Sequence, residues 1–210
     1  MLGVDVDMEV GPVTDERYLP RSHRDMVALV NAHPLAWLIS RDFQATLLPL
    51  LAETDDEGSL RALLGHIPVR NPQRLALERD PDALILFLGP NGYISPRLVS
   101  DPVWGPTWNY AAVRVRARVE FVEHETDAAL RLLAAHLEPG GGWSVERMGA
   151  RYERLRQHVV AFHAFVEEAD ARFKLGQDEH VTTFAEITAR LPDGELVELM
   201  RGQRVGEDPA

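Results

Sequence analysis

The segment between Trp108 and Val122 alternates apolar and charged side chains, and this pattern constrains the fold more than any other in the chain. Successive side chains of a β-strand point to opposite faces of its sheet. One face would carry Val113, Val115, Ala117, Val119 and Phe121, and the other Arg114, Arg116, Arg118 and Glu120. The segment therefore predicts a long strand with one face in an apolar core and the other in water.

Shorter apolar runs predict further strands at residues 35–40, 43–51, 60–67 and 83–88. Residues 171–175 are a candidate for the last strand, whereas residues 159–167 fit a helix or a strand equally well. The dense glycine and proline of Gly89-Pro90-Asn91-Gly92 predict a turn.

Helical spacing of apolar residues dominates the second half of the chain. It predicts helices over 126–137 and 145–155, and a later helix that carries Phe184, Ile187 and Leu191. Earlier, a short amphipathic helix is expected over 25–31, and Asn71-Pro72 provides an N-cap and first residue for another. The expected fold class is α+β: an antiparallel barrel with flanking helices and a helical C-terminal part.

The length of 210 residues fits one compact domain. We expect a flexible leader over 1–17, the domain over 18–191 and a C-terminal helix or tail over 192–210.

No apolar run approaches the roughly 20 residues that span a bilayer. The amino terminus is acidic where a signal peptide is basic, so the expected compartment is the cytoplasm. The chain has no cysteine, which excludes disulfides and thiolate metal sites.

The net charge of -11 argues against direct DNA binding, because DNA-binding domains present an excess of lysine and arginine to phosphates. The basic set itself is unusual, since Lys174 is the only lysine among 22 basic residues. A GC-rich genome, which favours arginine codons, is one explanation, and a need for a compact ammonium group at this one position is the other.

Three segments combine residues that suit a ligand. Residues 65–72 join a predicted strand to a helix, where free N–H groups, Arg70 and Asn71 would suit a phosphate. Residues 89–96 and 105–110 add Tyr93, Ser95, Trp108, Asn109 and Tyr110, which would suit a flat ring with polar edges. Each segment also has a purely structural interpretation: an N-cap with a solvated arginine, a rigid hairpin turn, and aromatic residues packed in the core.

The sequence motifs of several common kinds of site are absent. The eight histidines show no i, i+4 pair with a flanking carboxylate, so we expect no metal site. The sequence also lacks a G-x-S-x-G elbow, a phosphate-binding Walker loop and a dinucleotide fingerprint.

Six segments, taken in order and spacing, resemble the PaiB family, whose members are also called FMN-binding negative transcriptional regulators. They are Tyr18-Leu19-Pro20 with His23, residues 45–50, Gly65-His66 with Asn71-Pro72, residues 89–96, residues 106–110, and Lys174-Leu175-Gly176-Gln177. The YISP and PTWNY sequences within them are the most specific, and the resemblance covers residues 17–191.

The resemblance implies a split β-barrel related to pyridoxamine-phosphate oxidases and flavin reductases, in a homodimer that binds FMN between its subunits. It assigns the phosphate to residues 65–72, with Lys174 at the phosphate or at the ring. The cofactor-binding residues implied in this way are His66, Arg70, Asn71, Tyr93, Ser95, Trp108, Asn109, Tyr110, Lys174 and Gln177.

The chain departs from the family pattern at three places. Leu47 and Asn91 stand where members have histidine, and Val69 stands where arginine is common. We expect a PaiB-like FMN protein, with activity as an FMN-dependent oxidoreductase left open. Two alternatives are a ligand-sensing regulator that acts through partners and a haem-binding split barrel, and the two missing histidines count against haem.

Overall fold

The computed structural model describes residues 15–204, so residues 1–14 of the expected leader and residues 205–210 of the expected tail lie outside it. Residues 15–204 contain seven strands: β1 (Leu35–Ser40), β2 (Ala45–Pro49), β3 (Leu51–Thr54), β4 (Leu60–Pro68), β5 (Asp82–Ile94), β6 (Thr107–Phe121) and β7 (Val159–Lys174). The α-helices of this part of the chain are α1 (His23–Ala32), α2 (Pro72–Arg79), α3 (Thr126–Leu137), α4 (Ala150–Arg156), α5 (Val181–Arg190) and α6 (Glu195–Arg204). Four short 3₁₀ helices cover Glu16–Tyr18, Pro96–Leu98, Glu123–Glu125 and Val145–Met148.

The strands form one sheet in the order β2-β1-β5-β6-β7-β4-β3, and all neighbours are antiparallel. The two edge strands, β2 and β3, are consecutive in the chain and separated only by Leu50. Leu50 is fully buried, and its N–H donates a 2.8 Å hydrogen bond to the carbonyl oxygen of Pro34. Because one bent segment supplies both edges, the sheet curls into a barrel that is split at the bend.

The alternation predicted for residues 108–122 is confirmed in β6. Val113, Val115, Ala117 and Val119 are buried inside the barrel, and Phe121 is partly buried against it. The arginines on the opposite face form ion pairs with carboxylates of neighbouring strands: Arg114 with Asp170, Arg116 with Glu168, and Arg118 with Asp82. On the solvent-exposed face of β6, each of these three arginines is therefore paired with a carboxylate.

Two helices pack against the barrel and extend its core. A capping box between Ser22 and Asp25 begins α1, which packs against β3, β5 and β6. Asn71 caps α2, whose Gln73 is buried and donates from Nε2 to the carbonyl oxygens of Leu38 and Gln44, both at 2.8 Å. These bonds hold α2 against the end of β1.

The later helices form two separate layers. α3 covers the outer face of β4 and β7, where Leu64, Ala129 and Ala161 form a small second core. α6 packs against β5 and buries Val197 and Met200. None of the helices in residues 15–204 is long and apolar enough to cross a membrane.

The structure corrects three local predictions. The turn expected at residues 89–92 is wrong, because β5 continues through it with a shift of register between Leu88 and Asn91. Pro90 has no N–H to donate, and a bulge is the place where a strand tolerates this. The run 43–51 is two strands rather than one, and residues 159–175, split in the prediction, are almost entirely the single strand β7.

Candidate functional site

The outer face of β1, β2 and β5 is apolar and is not covered by any element in residues 15–204. Trp37 lies at its centre, 48% exposed, and pairs with Leu47 of β2 and Leu86 of β5. Leu35 and Leu88 extend the surface and are more than half exposed. We call these five residues the apolar face. Contiguous exposed apolar surface of this kind is typical of interaction sites.

An aromatic cluster adjoins the apolar face where β5, β6 and β7 run together. It consists of Asn91, Tyr93, Trp108, Tyr110 and Lys174, which share the outer side of the sheet because they are directly paired or two residues apart. The rings of Tyr93 and Trp108 are 6.0 Å apart between centroids, and each side chain is 52% exposed. The cluster therefore offers an aromatic surface with an amide and an ammonium group beside it.

Lys174 is held at the end of β7 by the start of β6. Its Nζ donates to Thr107 Oγ1 and, over 3.3 Å, to the carbonyl oxygen of Trp108. An ammonium group has three N–H donors, so one remains for a ligand. The two acceptors belong to neighbouring residues, and the rotating N–H groups of a compact ammonium suit such a pair.

Three of the predicted cofactor-binding residues have other contacts. Asn109 is buried on the opposite side of β6 from Trp108, where its Nδ2 lies 3.7 Å from Met200 Sδ and its Oδ1 has no partner. The Gln177 amide is used by backbone groups, accepting from Leu175 N–H and donating to the Phe173 carbonyl oxygen. Ser95 caps the 3₁₀ helix Pro96–Leu98.

The junction at residues 65–72 differs from the expected phosphate site in one respect. The first-turn N–H groups are already satisfied, because Asn71 Oδ1 accepts from Gln73 and the Asn71 carbonyl oxygen accepts from Arg74. Asn71 Nδ2 donates to Thr46 Oγ1 over 3.1 Å, so its amide holds α2 to β2. Arg70, in contrast, is exposed and has no side-chain partner among residues 15–204. The side chain of Arg70 is thus the available anion-binding group.

His66 lies on the outer face of β4 and lines a cavity beneath α3 and α4. Its ring makes no hydrogen bond within residues 15–204. Burial lowers the pKa of His66, so the imidazole is neutral near neutral pH. Within the same residues, no group of three or more histidine, aspartate and glutamate side chains is placed to hold a metal ion.

Arg70 and the aromatic cluster are far apart in one chain. Pro68, two residues before Arg70, pairs with Val159 at the start of β7, whereas Tyr110 pairs with Lys174 at its end. Because a strand rises about 3.3 Å per residue, the path along β7 between these ends is about 50 Å. Arg70 and Lys174 thus lie near opposite ends of β7, which favours a site in which the two side chains come from different copies of the chain.

The sequence patterns do not predict two features of the site. In the sequence Asn91 is only a departure from the family pattern, whereas in the structure its Oδ1 accepts from Trp108 Nε1 and its Nδ2 donates to the Gly89 carbonyl oxygen. The second feature is the apolar face, whose strands the sequence predicts without assigning them a binding role. The first five residues of Leu35–Ser40 are all apolar, and this pattern indicates a strand that is covered on both of its faces.

The residues present fit FMN. Arg70 offers an unpaired guanidinium of the kind that binds phosphate. The exposed rings of Tyr93 and Trp108, with Lys174 next to them, offer a flat apolar surface and a positive charge for an isoalloxazine ring.

Comparisons with known proteins agree with this fit. Residues 14–168 match the family described as "Putative FMN-binding domain". The chain is 29% identical over 157 residues to the protease synthase and sporulation protein PAI 2 of Bacillus subtilis, covering 72% of this chain and 73% of that protein.

Solved structures share the fold and confirm the predicted split barrel. The flavocytochrome Anf3 from Azotobacter vinelandii superposes with a TM-score of 0.56 at 17% identity, covering 76% of this chain and 74% of that one. The FAD and heme binding protein from Mycobacterium smegmatis gives a TM-score of 0.54 at 13% identity, over 75% and 73% of the two chains. With the family match covering most of its length, the chain belongs to the PaiB family of FMN-binding split-barrel proteins.

Proposed function

We propose that two copies of this chain bind FMN between them, with the phosphate at Arg70 of one copy and the ring at the aromatic cluster of the other. The observation that carries this proposal is the position of the apolar face, which lies uncovered between Arg70 and the aromatic cluster. If two apolar faces pack together about a twofold axis, each Arg70 approaches the partner's Lys174.

The bound flavin would supply hydride or single-electron transfer to a small molecule, so we propose an FMN-dependent oxidoreductase. The protein's part is to hold and orient the ring. Tyr93 and Trp108 would contact its flat face, and the remaining N–H of Lys174 would stabilise negative charge at its polar edge.

Mixing two variants tests whether the site is shared between subunits. Arg70→Ala and Lys174→Ala homodimers should each bind FMN weakly. After subunit exchange, a mixed dimer has one site in which both side chains are intact, so about a quarter of all sites should regain wild-type affinity. Recovery would be measured by fluorescence titration with FMN. If mixing restores no sites, the two side chains do not act across the interface.

A comparison of FMN with riboflavin tests the phosphate assignment. Arg70→Ala should weaken FMN roughly ten- to a hundredfold, because charge-assisted hydrogen bonds are lost, and should spare riboflavin, which has no phosphate. Arg79→Ala, an exposed arginine of α2, is the matched control and should leave both affinities unchanged. Equal weakening of both ligands by Arg70→Ala would refute the assignment.

The absorption spectrum of the purified protein separates flavin from the haem alternative. A flavin gives bands at roughly 375 and 450 nm, whereas haem gives an intense band at roughly 400 nm, since each spectrum belongs to the cofactor. We expect the flavin bands.

We also propose that the chain does not bind duplex DNA directly. Its net charge is -11, and the arginines on the outer face of β6 are paired with carboxylates. A gel-shift assay with an upstream DNA fragment should show no competitor-resistant complex at physiological salt. Nanomolar, sequence-specific binding would contradict this.

A further inference from the structure

A cavity of about 460 Å³ lies between the edge of the barrel and the layer formed by α3 and α4. One wall is a single face of α3, made by Leu130, Leu133, Ala134 and Leu137 at the i, i+3, i+4 and i+7 positions. The volume falls within the roughly 300–1,000 Å³ of small-molecule sites. The cavity lies on the outside of β4 and β7, whereas the apolar face lies on β1, β2 and β5.

Large apolar side chains that remain exposed line the cavity. Leu137, Trp143 and Leu155 are between 39% and 51% exposed although each contributes to the lining. Exposed apolar groups collected around one cavity indicate a place for the apolar body of a ligand.

Polar contacts join the elements that form the wall opposite the barrel. The Tyr152 hydroxyl donates to Asp127 Oδ1 over 2.8 Å, and Arg131 donates to Asp127 over 2.8 Å and forms an ion pair with Glu146. These contacts tie α3, α4 and the 3₁₀ helix Val145–Met148 together. The cavity is thus preformed, which lowers the entropy cost of binding a ligand.

The polar side chains of the lining are His66, His158 and Arg156, together with the Trp143 indole and the Tyr152 hydroxyl, which is bonded to Asp127. His66 and His158 have no side-chain hydrogen bond among residues 15–204. Arg156 uses only Nε, which donates to Glu153 Oε2 over 2.7 Å, so its terminal NH₂ groups remain for a ligand. In the part of the chain that the structure describes, Arg156 is the one charged side chain of the lining, and with the two imidazoles it favours an anionic head group.

We propose that this cavity binds an amphipathic monocarboxylate, with its acyl or aryl body against α3 and α4 and its carboxylate at His66, His158 and Arg156. The inference goes beyond the flavin proposal and does not depend on it, because only His66 belongs to the residues assigned to the cofactor by resemblance.

Decanoate, with decan-1-ol as the uncharged control of equal chain length, tests the proposal by calorimetric titration of the FMN-loaded protein. We expect saturable binding of one decanoate per chain and at least roughly tenfold weaker binding of the alcohol, because charge-assisted hydrogen bonds are lost. Binding should also change the fluorescence of Trp143, and Trp143→Phe should remove that change.

Substitutions inside and outside the lining of the cavity test where the ligand binds. Leu137→Glu and Met148→Glu each place a negative charge in the lining and should abolish decanoate binding. Leu132→Glu, an equally exposed position of α3 outside the lining, should leave binding unchanged. His66→Ala should weaken decanoate roughly tenfold and leave decanol unaffected. Circular dichroism would confirm that each variant is folded, and if one is not, the other lining variant decides.

Three results would overturn the inference. Absence of saturable decanoate binding to the wild-type chain at millimolar concentration would refute a ligand of this class. Equal affinity for decanoate and decanol would refute the carboxylate contact. Loss of decanoate binding when FMN is added to the flavin-free protein would show that the cavity belongs to the flavin site. The first two results leave the proposed flavin site untouched, whereas the subunit-exchange test with the Arg70 and Lys174 variants decides that site independently.

Discussion

Trp108 Nε1 donates a 3.3 Å hydrogen bond to Asn91 Oδ1, which fixes the indole ring on the outer side of the sheet. Asn91 is held in turn through its Nδ2, which donates to the Gly89 carbonyl oxygen over 3.1 Å. The bulge in β5 between Leu88 and Asn91 therefore positions the ring that we assign to the flavin. An irregularity of one strand sets the orientation of a side chain on the next.

Replacement of Trp108 by alanine should weaken FMN and riboflavin alike, because the indole would contact the ring and not the phosphate. A lost aromatic contact of about 0.5–1.5 kcal/mol corresponds to a roughly two- to tenfold rise in both dissociation constants. Asn91→Ala should have a smaller effect of the same kind. Trp143→Ala, on the far side of the barrel, serves as the control. If Trp108→Ala weakened FMN alone, the ring would lie elsewhere.

A charge placed in the apolar face should separate the subunits. Trp37→Glu would bury a carboxylate without a partner in the proposed interface, and we expect the dimer dissociation constant to rise on the order of a hundredfold or more. Leu132→Glu introduces the same charge at an exposed leucine of α3 and should not affect the dimer. Sedimentation velocity measures both, and FMN affinity should fall together with dimerisation. A Trp37→Glu variant that stays dimeric would show that the subunits meet on another surface.

The interior of the barrel leaves no room for a side chain at Gly65. A Cβ there would collide with Leu50 Cδ2 and Phe162 Cζ, so Gly65→Ala should lower the free energy of unfolding by roughly 1–3 kcal/mol. Gly140→Ala is the matched control, because no atom lies within 4 Å of a Cβ built there. Urea denaturation measures both variants. Equal stability of the two would mean that Leu50 and Phe162 repack without cost.

The strand content could be predicted because the residues themselves carry the pattern. In β6 the charged residues alternate with valine and alanine, and the structure buries that apolar set. The predicted turn at residues 89–92 was wrong because glycine and proline are equally suited to a bulge, and only the pairing of β5 with β6 distinguishes the two.

The candidate site could be predicted only in part, because residues close in sequence need not share a face. Trp108 and Asn109 are neighbours in the PTWNY sequence, yet they point to opposite sides of β6. The structural interpretation of Asn71 as an N-cap holds, since its side chain accepts from Gln73 N–H. The separation of Arg70 from Lys174 depends on the pairing of β4 and β6 with β7, which no local pattern contains.

His163 of β7 provides a pH-dependent link between the barrel and the helical layer. Its Nδ1 lies 2.7 Å from Glu53 Oε2 on β3, and its Nε2 lies 2.9 Å from Glu125 Oε2, immediately before α3. Burial alone would lower the pKa of His163, but the hydrogen bonds to Glu125 and Glu53 outweigh burial and raise the pKa above its ordinary value near 6.5. The hydrogen bond from His163 in turn lowers the pKa of Glu125.

The stability from this link should therefore depend on pH in a defined direction. Because the pKa of His163 is higher in the folded chain, its contribution is complete below the unfolded pKa near 6.5 and is lost as the pH rises through the folded pKa. The free energy of unfolding, measured by urea denaturation at successive pH values, should fall over this window in the wild type. His163→Gln should lack that component, whereas His23→Gln, an exposed histidine of α1, should keep it. Parallel pH profiles for the wild type and His163→Gln would show that the two carboxylates do not bind an imidazolium in the folded chain.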